Sequence, residues 1–343
     1  MYPSPDGGNR EATVGVTDAS GVAAARRCAA ELTRDAGFGE TESGRVAIVV
    51  TEAATNLVKH GAGGEILLQA VSTASVAGLE MLALDRGRGI QNVTEALRDG
   101  YSTAGSPGTG LGAMARQADV CDIYSVFDKG TAVLAQVWAA PVRPNGGERI
   151  RVGTACAPGF GEDVSGDGWL VMRRQGCVTI LVVDGLGHGP VAAAARHEAV
   201  RIFRGSSAPG PAQLVAAIHA GLRGTRGAAV AVTEIDPDRG RLRFCGLGNI
   251  SAVVLADGDD ARHLVSYNGT AGHAARKIDE FEYPWPANAV LVQHTDGLTS
   301  HWTLEGYPGL TARHPSLVAG VLYRDFKRGR DDVAVVVASG APA

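Results

Sequence analysis

The ten residues PVRPNGGERI, from Pro141 to Ile150, divide this 343-residue chain into two parts. Two prolines, a Gly-Gly pair and charged residues stand there between two apolar, strand-like runs, a composition typical of a linker. A chain of this length is long enough for two ordinary domains, each with its own core. We therefore predict a domain at 1–140, a linker at 141–149 and a second domain at 150–343.

The two parts differ in their hydrophobic patterns. The first mixes helices and strands, with helices predicted at 23–36, 42–60 and 111–118, strands at 65–71 and 79–84, and a hairpin around Asp128-Lys129-Gly130. The second is richer in strands, predicted at 169–173, 177–183, 228–235, 241–245, 251–256, 289–293 and 333–338, with helices at 190–203, 211–222 and about 316–325. Such a pattern favours a two-sheet sandwich with helices outside.

Composition narrows the classes of partner and compartment. With 32 basic and 36 acidic residues the net charge is -4, so the chain has no general attraction to nucleic acid or to an acidic membrane. Its five cysteines are scattered without a Cys-x-x-Cys pair, which is typical of a reducing compartment. The first residues lack the features of a signal peptide, and no apolar run approaches a membrane span. We expect a cytoplasmic protein without nucleic-acid or membrane partners.

A carboxylate and an amide stand four residues apart in TEAATNLVKHG. This spacing places Glu52 and Asn56 on one face of the second predicted helix. The carboxylate can orient a water or hydroxyl while the amide oxygen ligates a magnesium ion on a triphosphate. Taken alone, solvated polar residues on a helix explain the pair better. For His60, four residues further on, helix-end packing or solvent exposure is the preferred interpretation.

Two glycine-rich segments add weight to the nucleotide hypothesis. LALDRGRGI ends a strand at Asp85, where a carboxylate can accept a hydrogen bond from an adenine amino group and glycines let the ring approach the backbone. GSPGTGLGAMARQAD sets glycines just before a helix, where free N–H groups and the helix N-terminus can cradle phosphates. The ordered set of three motifs is a much stronger signal than any one of them.

The order E-x-x-x-N, D-x-G-x-G and G-T-G-L-G resembles the GHKL (Bergerat-fold) ATPases. It is most similar to the short RsbT-like serine/threonine kinases that act as anti-sigma factors or switch proteins in bacterial partner switching. The resemblance covers about 14–139 and implies a Bergerat α/β sandwich that binds ATP with Mg²⁺. It implies that Asn56 holds Mg²⁺, that Asp85 reads adenine and that Glu52 is the general base. The residues implied to shape the pocket and its lid are Gly87, Gly89, Gly108, Thr109, Gly110 and Gly112.

The second part carries acidic residues where loops meet strands: Asp167, Asp184, Asp296 and the Asp331-Asp332 pair. Distant segments deliver oxygen ligands to a shared hard cation in this way. Aspartates without His or Cys favour Mg²⁺ or Mn²⁺ over zinc. Two such ions bridged by Asp184 would supply the activated water that attacks a phosphate ester. A tight turn between strand and helix is the alternative interpretation of VVDGLGHG.

These motifs, together with CGLGNIS at 245–251, resemble the metal-dependent PPM-type serine/threonine phosphatases and especially their SpoIIE-like branch, including small RsbX-like phosphatases. The match runs from about 151 to 339 and implies a PPM-type β-sandwich flanked by helices that binds two Mn²⁺ or Mg²⁺ ions. It implies that Asp184 bridges both metals and is central to catalysis, and that the Gly185 carbonyl ligates one of them. The residues implied to complete the ligand shells are Asp167, Asp296 and Asp331.

Several roles stay open at this point. Strand alternation sends Asp331 and Asp332 to opposite sides, so one of them ligates, and the family register favours Asp331. His188 can meet substrate or solvent, and Asn249 is best interpreted as structural. Relatives use an arginine for phosphate, and Arg151 is a loose candidate.

A kinase-like and an opposing phosphatase-like domain in one chain indicate a bifunctional switch acting on Ser or Thr. The resemblance implies a STAS-domain antagonist protein as substrate, with a sigma factor or downstream switch protein as a further partner. The alternative is a metal-dependent phosphatase whose first domain binds ATP or a partner only to regulate. A scaffold with two degenerate sites is disfavoured by the complete set of aspartates. The sequence does not specify the substrate, the input signal, the oligomeric state or the coupling between domains.

Overall fold

The structure is a computed structural model that describes residues 2–3, 11–73, 75–97, 110–142, 148–256 and 261–341. Its helices are α1 (Ala19–Asp35), α2 (Glu40–His60), α3 (Val93–Ala96), α4 (Gly110–Gln117), α5 (Gly189–Gly205), α6 (Pro211–Gly221) and α7 (Pro315–Phe326). Its strands are β1 (Tyr2–Pro3), β2 (Glu11–Val16), β3 (Gly64–Ser72), β4 (Ala77–Asp85), β5 (Val120–Val126), β6 (Gly130–Trp138), β7 (Ile150–Ala157), β8 (Asp167–Arg174), β9 (Cys177–Gly185), β10 (Ala228–Asp236), β11 (Arg241–Leu247), β12 (Ser251–Leu255), β13 (Arg262–His263), β14 (Ser266–Tyr267), β15 (Gly269–Thr270), β16 (Ala274–Ala275), β17 (Phe281–Pro284), β18 (Val290–His294) and β19 (Val333–Gly340).

The chain forms two compact units, and neither is continuous in sequence. The N-terminal unit comprises Asn9–Pro144 and Leu304–Arg324. The C-terminal unit comprises Met1–Gly8, Asn145–Thr303 and Asp325–Ala343. The predicted boundaries at 141–149 follow the order of the sequence and include no such exchange of segments. Most of the predicted linker lies outside the described residues.

The N-terminal unit is an antiparallel sheet with α1 and α2 on one face and α7 on the other. The strand order is β2-β3-β4-β6-β5. Apolar residues of α2 recur at helical spacing, and Val46, Val49 and Ala53 share a core with Ile66 and Met81 of the sheet. Because this stripe faces the sheet, Glu52 and Asn56 lie on a neighbouring, half-buried side of the same helix.

Helix α7 belongs to the N-terminal unit although most of the C-terminal unit precedes it in sequence. The Ser316 hydroxyl donates a hydrogen bond of 3.0 Å to the carboxylate of Glu80 on β4. Amide groups of Gln69 and Gln136, on the two strands beside β4, donate to the same carboxylate at 2.6 Å each. Burial raises the pKa of Glu80, and these three donors oppose the rise. The hydrogen-bonded Glu80, held by glutamines of the two neighbouring strands, therefore positions α7 on the sheet through Ser316.

The C-terminal unit is a β-sandwich. One sheet has the order β14-β11-β10-β9-β8, with β17 also paired to β11, and the other has the order β13-β12-β18-β19-β7. Their inner faces share one core, which includes Trp169, Phe244 and Val336. Helices α5 and α6 pack on the outer face of the first sheet through Phe203 and Ile218. The predicted two-domain α/β fold, with a β-sandwich flanked by helices, is confirmed.

A short paired stem marks the point where the chain leaves the C-terminal unit and the point where it returns. The Thr299 N–H donates to the Phe326 carbonyl at 3.0 Å, and the Arg328 N–H donates to the Gly297 carbonyl at 2.8 Å. Along the sequence, the stem and the segment Leu304–Arg324 stand between Asp296 and Asp331. None of the described helices is both long and apolar enough to span a bilayer.

Candidate functional site

The first candidate site begins on α2, where Glu52 and Asn56 face the start of α4. A Cβ added to Gly110 would lie 3.2 Å from Glu52 Oε2 and 3.4 Å from Asn56 Oδ1. Gly112, two residues further along α4, is buried. The fold therefore brings the first and third motifs together, with the N-terminus of α4 beside the carboxylate and the amide. Gly108 and Thr109 lie outside the described residues.

Asp85 ends β4 with one of its oxygens fixed by backbone groups. Its Oδ1 accepts hydrogen bonds from the N–H groups of Gly87, at 2.7 Å, and Thr131, at 3.2 Å. Burial raises the pKa of Asp85, and these two N–H groups oppose the rise. The two bonds orient the carboxylate and do not use Oδ2. An oriented acceptor at a strand end suits recognition of an amino group such as that of adenine.

No pattern in the sequence connects the β5–β6 hairpin with this site. Gly130 has a φ of +98° and lies so close to Asp85 that a Cβ there would be 2.1 Å from the Asp85 carbonyl oxygen. A side chain would push the hairpin away and remove the Thr131 N–H from Asp85. Gly89 (φ +75°) brings the preceding loop against the carbonyl of Val126 in the same way. The Asp-Lys-Gly turn predicts the hairpin, but it does not predict that the hairpin packs against Asp85.

Arg324, on α7, contacts the backbone of Asp85. Arg324 Nη1 donates a 2.9 Å hydrogen bond to the Asp85 carbonyl, and Arg86 donates through its guanidinium to the Arg324 carbonyl. His60 is exposed at the end of α2, as its interpretation as a helix-end or solvent residue implies.

The second candidate site is centred on two aspartates of neighbouring strands. Asp167 on β8 and Asp184 on β9 are direct cross-strand partners, which places their Cβ atoms about 5 Å apart. Asp167 is buried, and its Oδ2 has no hydrogen-bond partner among the described residues. Burial, followed by the charge of Asp184, raises the pKa of Asp167 well above its usual range. An unpaired, buried carboxylate oxygen beside a second carboxylate suits a bound cation.

Further carboxylates approach Asp184 from other segments. Burial raises the pKa of Asp184 to about 7, and the charges of Asp296, Asp331 and Asp332 add to the rise. Asn249, in the turn between β11 and β12, donates a 2.8 Å hydrogen bond to Asp296 Oδ2 and also hydrogen-bonds Asp184. Asn249, interpreted as structural from the sequence, therefore joins two carboxylates of the cluster. Mutual repulsion of this kind is what a bound divalent cation relieves.

Asp331 and Asp332 have different surroundings. Asp332 is buried, and its two carboxylate oxygens accept hydrogen bonds from the N–H groups of Gly159, at 2.7 Å, and Gly166. Asp331 is exposed. Asp332 therefore braces the loop between β7 and β8, while Asp331 keeps access to the cluster.

The Asp-Gly-Leu-Gly-His-Gly turn packs closely against α5. A Cβ on Gly185 would lie 2.3 Å from the Ala192 carbonyl oxygen, so only glycine fits at the end of β9. His188 is exposed, and its Nδ1 lies 2.6 Å from Glu162 Oε1. Arg151 pairs with Ser339 at the far end of β7 from Ala157, which removes it from the aspartates. Arg226 lies nearer, with Nη1 3.2 Å from the position of a Cβ on Gly187.

The donor set fits magnesium or manganese held largely through water. In the part of the chain that the structure describes, no three His, Cys, Asp or Glu side chains are already gathered as the ligands of one ion. Mg²⁺ commonly binds through one or two carboxylates and keeps several waters. The Asp167-Asp184 pair, with its unpaired buried oxygen, supplies such carboxylates.

Comparison with known proteins assigns both parts of the sequence to families. Residues 16–137 match the family model described as Histidine kinase-like ATPase domain, and residues 174–339 match that of Stage II sporulation protein E (SpoIIE). Serine/threonine-protein kinase RsbT of Bacillus subtilis (strain 168) is 31% identical over 117 residues, which cover 34% of this chain and 88% of RsbT. The chain belongs to the RsbT kinase family. It fuses this kinase domain to a SpoIIE-type serine/threonine phosphatase domain, which confirms the fusion predicted from the motifs.

Solved structures also resemble this chain. One, described as "The bacterial stressosome: a modular system that has been adapted to control secondary messenger signaling", has 27% identity and a TM-score of 0.52 and covers 56% of this chain and 100% of that chain. Another, RsbX in complex with magnesium, has 15% identity and a TM-score of 0.49 and covers 59% of this chain and 99% of that chain.

The raised carboxyl pKa values predict how pH affects the metal-free RsbT–SpoIIE fusion. A carboxyl whose pKa is higher folded than unfolded stabilises the fold at low pH, and that stability is lost as the pH rises through the folded value. With the pKa of Asp184 at about 7, we expect the Tm in EDTA to fall by at least about 5 °C between pH 5 and pH 8. Asp184→Asn should flatten this slope and raise the Tm at pH 8.

Thermal unfolding at a series of pH values, with and without excess Mn²⁺, measures this effect. Mn²⁺ should abolish the slope in the wild type. Equal slopes for wild type and Asp184→Asn in EDTA would show that Asp184 is not crowded by its neighbours.

Proposed function

We propose that the fusion is a two-way switch whose first domain phosphorylates a Ser or Thr of a STAS-domain antagonist protein and whose second domain removes that phosphoryl group. The kinase family and the phosphatase domain place opposite chemistries in one chain. The observation that carries the proposal is that both sets of motif residues are assembled: Gly110 beside Glu52 and Asn56, and Asp167 opposite Asp184. The functional domains are proposed to be 1–140 and 150–343.

In the kinase domain, the proposed roles follow the geometry of α2, β4 and α4. The N–H groups of Gly87 and Thr131 orient Asp85, whose Oδ2 accepts a hydrogen bond from the adenine amino group. Asn56 holds the Mg²⁺ that accompanies ATP, and the N-terminus of α4 receives its phosphates. Glu52, beside Gly110, accepts the proton of the attacking hydroxyl.

In the phosphatase domain, the aspartates are proposed to hold two Mn²⁺ or Mg²⁺ ions. Bound metals lower the pKa of a water and polarise the phosphate ester. Asp184 and Asp167, with its unpaired Oδ2, would hold the ions together with Asp296 and the Gly185 carbonyl. Asn249 keeps Asp296 directed at Asp184 through its 2.8 Å hydrogen bond. These are positioning tasks for which strand ends of a rigid sandwich are well suited.

We propose Asp331 rather than Asp332 as the remaining ligand, because both oxygens of Asp332 already accept backbone N–H groups. Asp331→Asn should raise the Mn²⁺ concentration for half-maximal activity by about tenfold and leave the Tm unchanged. Asp332→Asn places an amide N–H against a backbone N–H and should cost about 2 kcal/mol of stability. Manganese titrations and thermal unfolding separate the two effects. A shifted metal requirement with an unchanged Tm in Asp332→Asn alone would reverse the assignment.

The partner is inferred from relatives. The description of one solved structure that resembles this chain begins "The bacterial stressosome", and the kinase relative is RsbT. These likenesses support partner switching through a STAS-domain protein, with a sigma factor or downstream switch protein as a further partner. Purified fusion, a STAS protein and labelled ATP with Mg²⁺ test the proposal. Label should enter the partner, then leave it when unlabelled ATP and Mn²⁺ are added.

A second candidate function is a phosphatase whose first domain only binds ATP or a partner. The contact between Arg324 of α7 and the Asp85 carbonyl favours it, because a nucleotide at Asp85 would also affect a segment that leads to Asp331. The labelling experiment distinguishes the two functions. If the partner is never labelled but its phosphorylated form is hydrolysed, the first domain is regulatory.

A further inference from the structure

Exposed apolar side chains gather beside the phosphatase centre. Four of the seven large apolar side chains that are exposed in the described residues fall in the two short segments 160–164 and 186–191. Single exposed apolar residues are ordinary on protein surfaces, but such a concentration is typical of a binding surface. We call this set the rim patch; its members are Phe160, Val164, Leu186 and Val191.

Both segments are continuous with predicted metal ligands. Leu186 follows Gly185 directly, and Val164 precedes Asp167 by three positions. The Gly185 N–H donates to the Gly166 carbonyl at 3.1 Å, so the two segments meet at the aspartates themselves. The rim patch therefore adjoins the aspartates along both segments.

The loop that carries Phe160 is braced on several sides although Phe160 itself is 93% exposed. Asp332 accepts hydrogen bonds from the N–H groups at the two ends of the loop, those of Gly159 and Gly166. Within the loop, the Glu162 carboxylate lies 2.6 Å from His188 Nδ1, on the other segment. A loop ordered before binding loses little entropy when it binds, so an exposed aromatic on it is a good anchor for a ligand.

We propose that the rim patch recognises apolar side chains that flank the phosphorylated residue of a protein substrate. This inference rests on the proposed phosphatase function. The occupant is a polypeptide rather than a small phosphate ester, because the patch adjoins the site where the phosphoryl group must lie and extends along two segments beside it. The metals would bind the phosphoryl group of any ester, while the rim patch would select the sequence around it.

The test uses two synthetic phosphoserine peptides that differ only in having leucines or glutamines on both sides of the phosphoserine. With Mn²⁺, the wild type should show a kcat/KM about tenfold higher for the leucine peptide. Phe160→Ser and Val191→Ser should lose this preference through a higher KM. Hydrolysis of p-nitrophenyl phosphate, which has no flanking residues, should be unchanged in both variants.

Val265→Ser is the matched control, because Val265 is 46% exposed and Val191 is 50% exposed, in the same unit. This control should keep the peptide preference. If the wild type has no preference, or if both rim variants keep it, the inference is wrong. If the two rim variants keep the peptide preference but no longer self-associate in sedimentation, the rim patch is instead a contact between copies of this chain. Absence of p-nitrophenyl phosphate hydrolysis by the wild type would contradict the phosphatase function itself.

Discussion

Replacement of Asp184 by Asn should lower hydrolysis of phosphoserine substrates by more than about 100-fold. Asp184 on β9 is the direct partner of Asp167 on the neighbouring strand β8. The charges of Asp296 and Asp331, from other segments, also raise its pKa. An amide at this position cannot carry the negative charge with which Asp184 is proposed to hold the cations. Its shape is nearly that of the carboxylate, so the packing of β9 against β10 should stay intact.

Manganese-dependent hydrolysis of p-nitrophenyl phosphate and of a phosphoserine peptide measures the loss. ATP binding should be unchanged, because the residues proposed to bind the nucleotide lie in the other unit. Asp163→Asn is the matched control, since Asp163 is an exposed aspartate in the adjoining loop. Activity at the wild-type level in Asp184→Asn would mean that the metal assignment is wrong.

Replacement of Glu52 by Ala should lower phosphoryl transfer to the partner by about 10²- to 10⁴-fold, the usual contribution of a general base. Glu52 Oε2 lies beside the start of α4, where ATP phosphates are proposed to bind. Asn56 and Asp85 remain in place in this variant, so nucleotide affinity should change little.

Transfer of label from ATP to a STAS protein, together with binding of a fluorescent ATP analogue, separates chemistry from binding. Glu40→Ala on the same helix is the control, because Glu40 is exposed in the first turn of α2. Unchanged transfer in Glu52→Ala would exclude Glu52 as the base. Loss of nucleotide binding together with transfer would give Glu52 a role in holding ATP.

The sequence predicted well what depends on local pattern. Helix α2 was expected at 42–60 and spans Glu40–His60, because its apolar residues recur at helical spacing. Asp85 and Asp184 were expected where an apolar run ends before glycine, and they lie at the ends of β4 and β9; Asp167 was expected where a loop meets a strand, and it opens β8. The ordered motifs then identified both families.

What the sequence could not predict depends on contacts between distant segments. Nothing in the pattern of Asn249 shows that it hydrogen-bonds Asp296, and nothing in the Gly130 turn shows that it abuts Asp85. The helical pattern of α7 was recognised, but its periodicity does not say which sheet it covers. Arg151 illustrates the same difficulty, since its distance from the aspartates depends on which end of β7 meets them.

The passage of Leu304–Arg324 into the N-terminal unit bears on how such a gene can evolve. A single cut at the linker would leave the kinase half without α7, and would expose Glu80 and the leucines at 82 and 84 that α7 contacts. The other half would keep a helix with ten buried residues and lose the sheet against which it packs. Each half would expose apolar surface that the intact chain covers, so we expect recombination at the linker to be disfavoured. The kinase and phosphatase domains are thereby inherited together, and the cell makes them in a ratio of one to one.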